Sequence, residues 1–299
     1  MCHGREGLPL PTSGRPSYLP LAHHPDQFFA IASRPCRGFF YAWVFARASY
    51  AVAMIDEAFF IELSRTARRA IDAAKATTLV VESKSHAVLD PVTNVDRAVE
   101  RALREQIERR FPEDGIAGEE YGSVRNKARR RWSIDPIDGT RAFICDLPSW
   151  SVLVGLRADG EHVAGMIDIP ALGELYVAAN GCTTRNGVLA LASGCTELTA
   201  ARVSTTDPFL FEGAEFEAFD RVRSLAAVAR YGLDGAAYAR LASGGLDLVI
   251  ESGLRPHDYG ALIPSSAARA GISAIGRGAR TSQGAGSSPP RRTNSMRPR

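Results

Sequence analysis

Two aspartates three positions apart, at the end of an apolar run, place the tightest constraint on this chain. Residues 132–140 read Trp-Ser-Ile-Asp-Pro-Ile-Asp-Gly-Thr. The proline and the glycine predict a strand that ends in a tight turn. The carboxylates of Asp135 and Asp138 and the carbonyl of Ile137 can then converge on one point. Such a set of hard oxygen atoms is what Mg²⁺ prefers, so the stretch indicates a magnesium site.

The same stretch has other interpretations. A strand followed by an Asp-Gly turn is common and needs no ligand. An EF-hand calcium loop does not fit, because its carboxylates alternate along the loop and Pro136 would lie inside it. Thr140 adds a hydroxyl, and residues 141–144 can begin a helix whose free N–H groups face an anion. The spacing alone leaves the magnesium site and the plain turn both open.

Composition excludes several classes of protein. The 299 residues can bury a substantial core, as one large or two modest domains. The net charge of +3 is small, and most of the acidic residues lie in the middle of the chain. The net charge therefore gives little indication of whether the protein binds nucleic acid. Five scattered cysteines without a C-x-x-C pair indicate reduced thiols in a cytoplasmic protein. No apolar run approaches the roughly 18 residues that span a membrane.

Apolar spacing predicts two helices before the central stretch. Residues 55–76 carry apolar side chains at helical intervals, which is typical of an amphipathic helix. Lys84 then opens a polar loop, and a second helix is predicted over residues 97–110. Asp96 stands where an acid would cap that helix. A Gly-Glu-Glu sequence at 118–120 allows either a close backbone approach or only a turn.

Beyond the central stretch, apolar runs alternate with turn residues and then with helical spacing. Strands are predicted at 151–157, 163–169, 175–179, 201–205 and 246–251, and helices at 216–225 and 236–242. This order of paired helices, strands, helices and strands favours an α/β fold in which helix and sheet layers alternate.

Several of these motifs together resemble the inositol monophosphatase family, Mg²⁺-dependent and lithium-sensitive phosphatases of small phosphate monoesters. Asp-Pro-Ile-Asp-Gly-Thr at 135–140 resembles its first signature, and residues 251–263 resemble its second. The family's P-V-T-x-x-D ends here at Asp96, and its G-E-E lies at 118–120. The resemblance covers about residues 54–271. It implies the layered α/β (α+β) sandwich of the sugar-phosphatase fold.

The resemblance implies a site for two or three Mg²⁺ ions. The metal ligands it implies are Glu119, Asp135, the Ile137 carbonyl, Asp138 and Asp258. So many like charges in one pocket cannot stay ionised together without cations. Glu119 and Thr140 would orient and deprotonate the attacking water, and Asp135 is counted with them as catalytic. Asp96 and Lys84 would support the metal site without ligating it, although a plain helix start also explains Asp96.

The resemblance also implies where substrate binds. The residues it implies are Gly139 and Thr140 for the phosphate, and Gly232, Leu233, Asp234 and Glu251 for the rest of the substrate. Asp234 would add a second negative charge to that of Glu251, which suits a cationic substrate. Glu251 can also be interpreted as an ordinary surface acid at the end of a strand.

The second signature, G-L-R-P-H-D-x-x-A-L-I-P, resembles the histidinol-phosphate phosphatase branch more than the inositol-specific members, which have Trp-Asp. His257 replaces the branch's tyrosine and Gly260 its alanine. The sequence therefore predicts hydrolysis of L-histidinol phosphate in histidine biosynthesis. Hydrolysis of inositol-1-phosphate or adenosine 3′,5′-bisphosphate is the alternative. A different class of alternative is an inactive, truncated remnant or a binding protein.

The two ends of the chain differ from its middle. Residues 1–53 are predicted to be a poorly ordered extension, either a transit peptide or sequence upstream of a true start at Met54, and the second is favoured. Residues 54–276 form the predicted catalytic domain. Residues 277–299 are predicted to be a disordered basic tail, where frame-shifted translation is favoured over a nucleic-acid-binding role. The family resemblance implies a homodimer.

Overall fold

The computed structural model of the chain describes residues 29–33, 57–83, 91–255, 260–262, 264 and 270–274. The helices are α1 (Glu57–Lys75), α2 (Asn94–Arg110), α3 (Thr140–Ile144), α4 (Ala214–Leu225) and α5 (Gly235–Ala242). The strands are β1 (Phe29–Ser33), β2 (Val81–Ser83), β3 (Pro91–Thr93), β4 (Gly115–Gly118), β5 (Gly122–Val124), β6 (Arg130–Asp138), β7 (Ser151–Ala158), β8 (Glu161–Ile169), β9 (Glu174–Ala179), β10 (Cys182–Arg185), β11 (Val188–Leu189), β12 (Arg202–Thr205), β13 (Val228–Tyr231), β14 (Leu248–Glu251) and β15 (Ala270–Ala274). Residues 260–262 and 264 are also helical.

An eight-stranded sheet with the order β11-β10-β9-β8-β7-β6-β4-β5 forms the centre of the molecule. From β6 to β11 each strand pairs antiparallel with the next, while β4 runs parallel to β6. The strands predicted at 151–157, 163–169 and 175–179 are therefore present as an antiparallel meander, whereas the strand predicted at 201–205 lies in a second sheet. The register of β6 against β7 shifts between Asp135 and Asp138, so the motif lies on an irregular strand end. A bulge of this kind re-aims side chains at the edge of a sheet.

Helices α1 and α2 cover one face of this sheet. Their apolar stripes bury Phe60 and Leu103 completely against Trp132, which is 1 % exposed. Fully burying such a side chain contributes about 1.5–3 kcal/mol. The indole nitrogen of Trp132 donates to Asp114 Oδ2 at 2.8 Å, so its polar atom is satisfied inside the core.

A second sheet has the order β13-β12-β14-β1-β15. Strand β12 runs parallel to both β13 and β14, and β1 pairs antiparallel with β14 and β15. Helix α5 packs between the two sheets, where Tyr238 and Leu241 belong to the same buried cluster as Leu153 of β7 and Val249 of β14. Helix α4 covers the outer face through Phe219. The predicted alternation of helix and sheet layers is confirmed.

Three glycines let the helical segment at residues 260–262 lie directly on the eight-stranded sheet. A Cβ on Gly155 would lie 2.3 Å from the carbonyl carbon of Gly260. A Cβ on Gly165 would lie 2.9 Å from the same segment's backbone, and a Cβ on Gly260 would lie 2.0 Å from Ser133 Oγ. Gly260, a departure from the family pattern, is thus the residue that fits beside Ser133.

Some element boundaries differ from the sequence prediction. Helix α2 begins at Asn94, three residues early, and its N-cap is Thr93 rather than Asp96. Strand β1 lies within residues 1–53, and the rest of that segment is outside the described residues. The basic tail at 277–299 is also outside them. Within the described ranges, no helix is both long and apolar enough to cross a membrane.

Candidate active site

The central turn holds its own geometry through local hydrogen bonds. Gly139 adopts φ 78° and ψ 41°, a left-handed conformation that a residue with a Cβ rarely takes. It therefore ends β6 and begins α3, where the Phe143 N–H donates to the Gly139 carbonyl at 3.0 Å. The Thr140 hydroxyl donates to the Ile137 carbonyl at 3.0 Å. This bond brings together two of the predicted site residues and aims them at the same side of the turn.

Asp138 connects the central turn to the start of α5. Its Oδ2 accepts hydrogen bonds from the Ser151 hydroxyl, at 3.1 Å, and from the Gly235 N–H. A Cβ on Gly235 would lie 2.5 Å from that same Oδ2, so only glycine admits the carboxylate here. Asp135 is 3 % exposed and lies on the buried part of β6. Ser151 and Gly235 are site residues that sequence reasoning missed, because no motif links them to Asp138.

Glu119 lies in the turn between β4 and β5, next to the central strand. Its N–H donates to the Ile134 carbonyl at 3.2 Å, directly before Asp135. The Glu119 side chain is half-buried. Three predicted carboxylates, Glu119, Asp135 and Asp138, thus lie at one end of the sheet.

Asp96 is buried at the first turn of α2. Its Oδ2 accepts from the Thr93 N–H at 2.8 Å and the Thr93 hydroxyl at 2.5 Å, and Thr93 in turn caps the helix. Burial raises the pKa of Asp96 to about 6, against the effect of the Thr93 bonds, and the negative charge of Glu120 adds to the rise. Asp96 therefore has a capping role and also lies within electrostatic reach of the Glu119–Glu120 turn.

The predicted substrate segment, residues 232–234, lies against the central turn. The Ser149 hydroxyl donates to the Gly232 carbonyl at 3.2 Å. Asp234 precedes α5 with φ 47°, and a Cβ on Gly139 would lie 2.9 Å from its Oδ2. Burial raises the pKa of Asp234, and the positive charge of Arg141 opposes that rise.

Glu251 ends β14 and is 2 % exposed. Its carboxylate accepts from the Thr206 N–H at 2.8 Å, the Thr206 hydroxyl at 3.0 Å and the Thr205 hydroxyl at 3.3 Å. Burial raises the pKa of Glu251 to about 8; the Thr206 bonds oppose the rise and the charge of Asp234 adds to it. Asp234 and Glu251 therefore form an acidic pair whose charges a cation would stabilise.

The chemistry of the donor set fits Mg²⁺. The predicted ligands within the described residues are all oxygen atoms, with no thiolate or imidazole among them. Those described side chains do not by themselves form a group of three His, Cys, Asp or Glu close enough to hold a metal ion. The fourth predicted carboxylate, Asp258, lies outside the described residues, and so does Lys84.

Comparisons with known proteins identify relatives of this chain by sequence and by fold. The sequence model of the inositol monophosphatase family matches residues 55–264. A bifunctional phosphatase of Arabidopsis thaliana, the chloroplastic IMPL2, is 41% identical over 179 residues, which are 59% of this chain and 52% of that protein. A histidinol-phosphatase of Chlorobaculum parvum is 36% identical over 176 residues, 58% of this chain and 68% of that one.

A solved structure of an inositol monophosphatase from Zymomonas mobilis superimposes with a TM-score of 0.59 at 36% identity, covering 68% of this chain and 78% of that one. The chain spans about half the length of the Arabidopsis relative.

Proposed function

The chain belongs to the inositol monophosphatase family, and on that premise we propose that it hydrolyses L-histidinol phosphate to L-histidinol and phosphate. The observation that carries the choice of substrate is the acidic pair Asp234 and Glu251 beside the central turn. Both carboxyls have raised pKa values because burial disfavours their charge. A bound ammonium group offsets that cost. Histidinol phosphate carries such a group and inositol-1-phosphate does not.

The residues that would hold Mg²⁺ are Glu119, Asp135, the Ile137 carbonyl, Asp138 and Asp258. The family is generally metal-dependent, and we propose two or three ions. When bound, Mg²⁺ neutralises charge on the phosphate and makes water more acidic.

The proton and the attacking water are handled by the chain itself. Glu119, half-buried beside β6, accepts the proton of the attacking water. The Thr140 hydroxyl, held toward the Ile137 carbonyl at 3.0 Å, keeps that water in line with the phosphorus. The water oxygen forms a bond to phosphorus as the bond from phosphorus to the substrate's alcohol oxygen breaks. The leaving oxygen takes a proton from solvent to give the alcohol, and Glu119 returns its own proton to solvent. No residue of the chain becomes phosphorylated in this scheme.

Phosphate binding falls to the backbone of the central turn. Gly139 adopts a left-handed conformation at the start of α3, and we assign the N–H groups of Gly139 and Thr140 to the phosphate oxygens. Backbone donors fixed in this way stabilise phosphate oxygens without reorganising during the reaction. Asp96 supports the turn that carries Glu119 through its place at the first turn of α2, and Lys84 is assigned a similar supporting role.

Recognition of the ammonium group is the finer part of the proposal. Asp234 lies against Gly139, so a cation beside Asp234 is also close to the bound phosphate. Three hydrogen bonds hold the Glu251 carboxyl against residues 205–206. Its raised pKa keeps it protonated in the free protein, and a bound ammonium group nearby would favour its ionised form. We assign Gly232 and Leu233, which precede Asp234, to the same part of the substrate-binding site. Similarity to the histidinol-phosphatase of Chlorobaculum parvum supports the same choice.

Inositol-1-phosphate is the second candidate substrate, since the structure from Zymomonas mobilis is an inositol monophosphatase. Phosphate release by the purified full chain with Mg²⁺ discriminates between them, with adenosine 3′,5′-bisphosphate as a third ester. A preference for histidinol phosphate supports the proposal. A preference for another ester keeps the chemistry and rejects the substrate. No release by a folded sample favours an inactive remnant.

We also propose a cellular compartment and an oligomeric state for the protein. Cys145, Cys182 and Cys195 are free thiols, which suits a reducing compartment such as the cytoplasm. We expect a homodimer that binds neither membranes nor nucleic acid. Sedimentation velocity of the purified protein tests the dimer, and a monomer at all concentrations contradicts it.

A further inference from the structure

A buried carboxylate outside the predicted ligand set holds the turn that carries Glu119. Glu100 lies on α2 and is fully buried. Its Oε2 accepts from the Glu120 N–H at 2.6 Å, and its Oε1 accepts from the Tyr121 N–H at 3.2 Å. The two donors follow Glu119 directly in the chain. Glu100 therefore binds the backbone of the turn, leaving the Glu119 side chain for other contacts.

Arg104 completes this arrangement from one helical turn further along α2. Its Nε donates to Glu100 Oε1 at 2.7 Å, and its Nη2 donates to the carbonyl of Gly122. The guanidinium thus neutralises the buried carboxylate and also holds the far end of the turn. A planar fork of donors can bridge two acceptors in this way, whereas an ammonium group cannot do so with the same geometry.

Gly118 shows how closely the carboxylate approaches the backbone. A Cβ built on Gly118 would lie 1.9 Å from Glu100 Oε1 and 2.3 Å from its Cδ. On the other side of the turn, the Glu119 N–H donates to the Ile134 carbonyl of the central strand. The backbone on both sides of Glu119 is therefore fixed, by β6 before it and by Glu100 after it.

We propose that Glu100, paired with Arg104, is a positioning residue that sets the Glu119 carboxylate at the magnesium site. This inference rests on the proposed function, since it takes Glu119 as a metal ligand. Partners that orient metal ligands control affinity although they never touch the ion. Glu100 acts in that manner through the backbone of the turn. Its replacement is therefore expected to raise the Kd for the metal ion while the protein still folds.

The test is Glu100→Gln in the full chain. Glutamine keeps the size of the side chain but turns an N–H donor toward one of the two backbone N–H groups. Electron paramagnetic resonance of free Mn²⁺ measures the Kd of the purified protein. We expect that Kd to rise at least about 10-fold. The Mg²⁺ concentration for half-maximal phosphate release rises in parallel, while kcat at saturating Mg²⁺ changes less.

Asp168→Asn is the matched control. Asp168 is also fully buried, accepts from the Ser64 hydroxyl at 2.8 Å and pairs with Arg68 at 2.6 Å. It lies on β8 beneath α1, so the substitution weakens a buried ion pair of the same kind away from the turn. The control is expected to lower the melting temperature and to leave the Kd for Mn²⁺ within about twofold, because Asp168 is not a partner of a metal ligand.

A second variant, Arg104→Lys, covers the case in which Glu100→Gln does not fold. Lysine keeps the charge beside Glu100 and loses the bridge to Gly122, so an increase in the Kd for Mn²⁺ of several-fold is expected. An unchanged Kd in the folded variants overturns the positioning role, as does an equal rise in Asp168→Asn.

The same measurements separate this inference from the proposed function. A wild-type protein that binds Mn²⁺, with the expected loss in Glu100→Gln but no phosphate release from any ester, supports the positioning role and rejects the phosphatase. An active wild-type protein whose Glu100→Gln variant binds Mn²⁺ normally supports the phosphatase and rejects the positioning role. A wild-type protein that binds no Mn²⁺ overturns both.

Discussion

The two sides of the candidate site are held together in different ways. On the eight-stranded sheet, the turn is fixed by partners close in sequence, such as Thr140 with Ile137. On the five-stranded sheet, Glu251 is held by Thr205 and Thr206, which are more than forty residues away. A short motif therefore fixes part of the turn on the side proposed to carry the chemistry, although Asp138 also bonds to the distant Gly235. The side proposed to recognise the substrate depends on the tertiary fold alone.

The two sides also differ in how their charges are satisfied. Asp138 accepts hydrogen bonds from Ser151 and Gly235, which prepare a fixed acceptor beside the phosphate site. Asp234 and Glu251 have raised pKa values because burial outweighs the groups that oppose it. In the proposed function, the first side would bind a metal ion, and the second side would be stabilised by the cationic group of the substrate.

The largest effect is expected on the chemical side. Asp138→Asn should lower phosphate release by at least about 100-fold, because a metal ion supplies several kcal/mol of charge stabilisation. Steady-state assays on all three esters measure the loss, and circular dichroism checks that the fold is intact. Turnover near the wild-type rate in a folded variant would remove Asp138 from the metal site.

A substitution where the two sides meet comes next. Gly139→Ala forces a left-handed conformation on a residue with a Cβ, which costs of order 1–3 kcal/mol. It also drives that Cβ toward Asp234 Oδ2, 2.9 Å away. Gly173→Ala is the matched control, since Gly173 has φ 65° and no atom within 4 Å of its Cβ position. Urea unfolding of both variants should show a larger loss for Gly139, and equal losses would mean that the contact between the sides is weak.

A third substitution addresses the recognition side alone. Glu251→Gln should lower kcat/KM for histidinol phosphate about 10-fold more than for inositol-1-phosphate, because an amide cannot take up the negative charge that a bound ammonium group favours. Equal losses for the two esters would remove the recognition argument for Glu251.

The pH dependence of stability provides an independent measure of the same group. The pKa of Glu251 rises from 4.5 to about 8 on folding, so its folded form retains the proton. Its contribution to stability is full below pH 4.5 and is lost as the pH rises through about 8. Wild-type stability should therefore fall relative to Glu251→Gln over this range, by up to about 1.4 kcal/mol per pH unit. Parallel curves for the two proteins would contradict a buried, neutral Glu251.

The smallest effect is expected where a helix rests on the sheet. Gly260→Ala should destabilise the protein by about 1 kcal/mol, since its Cβ would overlap Ser133 Oγ. Ser133→Ala in the same chain should recover part of that loss, which thermal unfolding of the single and double variants measures. Additive effects would show that the two residues do not compete for space.

The fold was largely predictable from the sequence because most of its pairings are local. The meander from β6 to β9 follows alternating apolar residues and turn signals, and α1 follows its apolar stripe. Strand β10 was not predicted. Strand β13 was missed because its residues 228–231 are mostly exposed and carry little apolar alternation. Strand β1 was missed because its pairing partner β14 lies at the other end of the chain.

The candidate site was predictable where family motifs carry it, and not elsewhere. The resemblance identified Glu119, Asp135 and Asp138, whose roles remain predictions. Glu100 belongs to no family motif quoted above, and its bonds to the turn after Glu119 join residues twenty positions apart, so they become apparent only in the fold. Ser151 reaches Asp138 from a neighbouring strand, and such a contact becomes apparent only after the sheet register is known.

Strand β1 has a consequence for how the protein matures on the ribosome. It is synthesised before every other described strand, yet it lies between β14 and β15, which are synthesised last. Pairings between distant residues form slowly, whereas neighbouring hairpins such as β6 to β8 form early. The strand that carries Asp135 and Asp138 can therefore be in place while β1 still awaits β14, the strand that ends in Glu251. The nascent chain can thus form the proposed metal-binding strand before the sheet that we propose to recognise the substrate is complete.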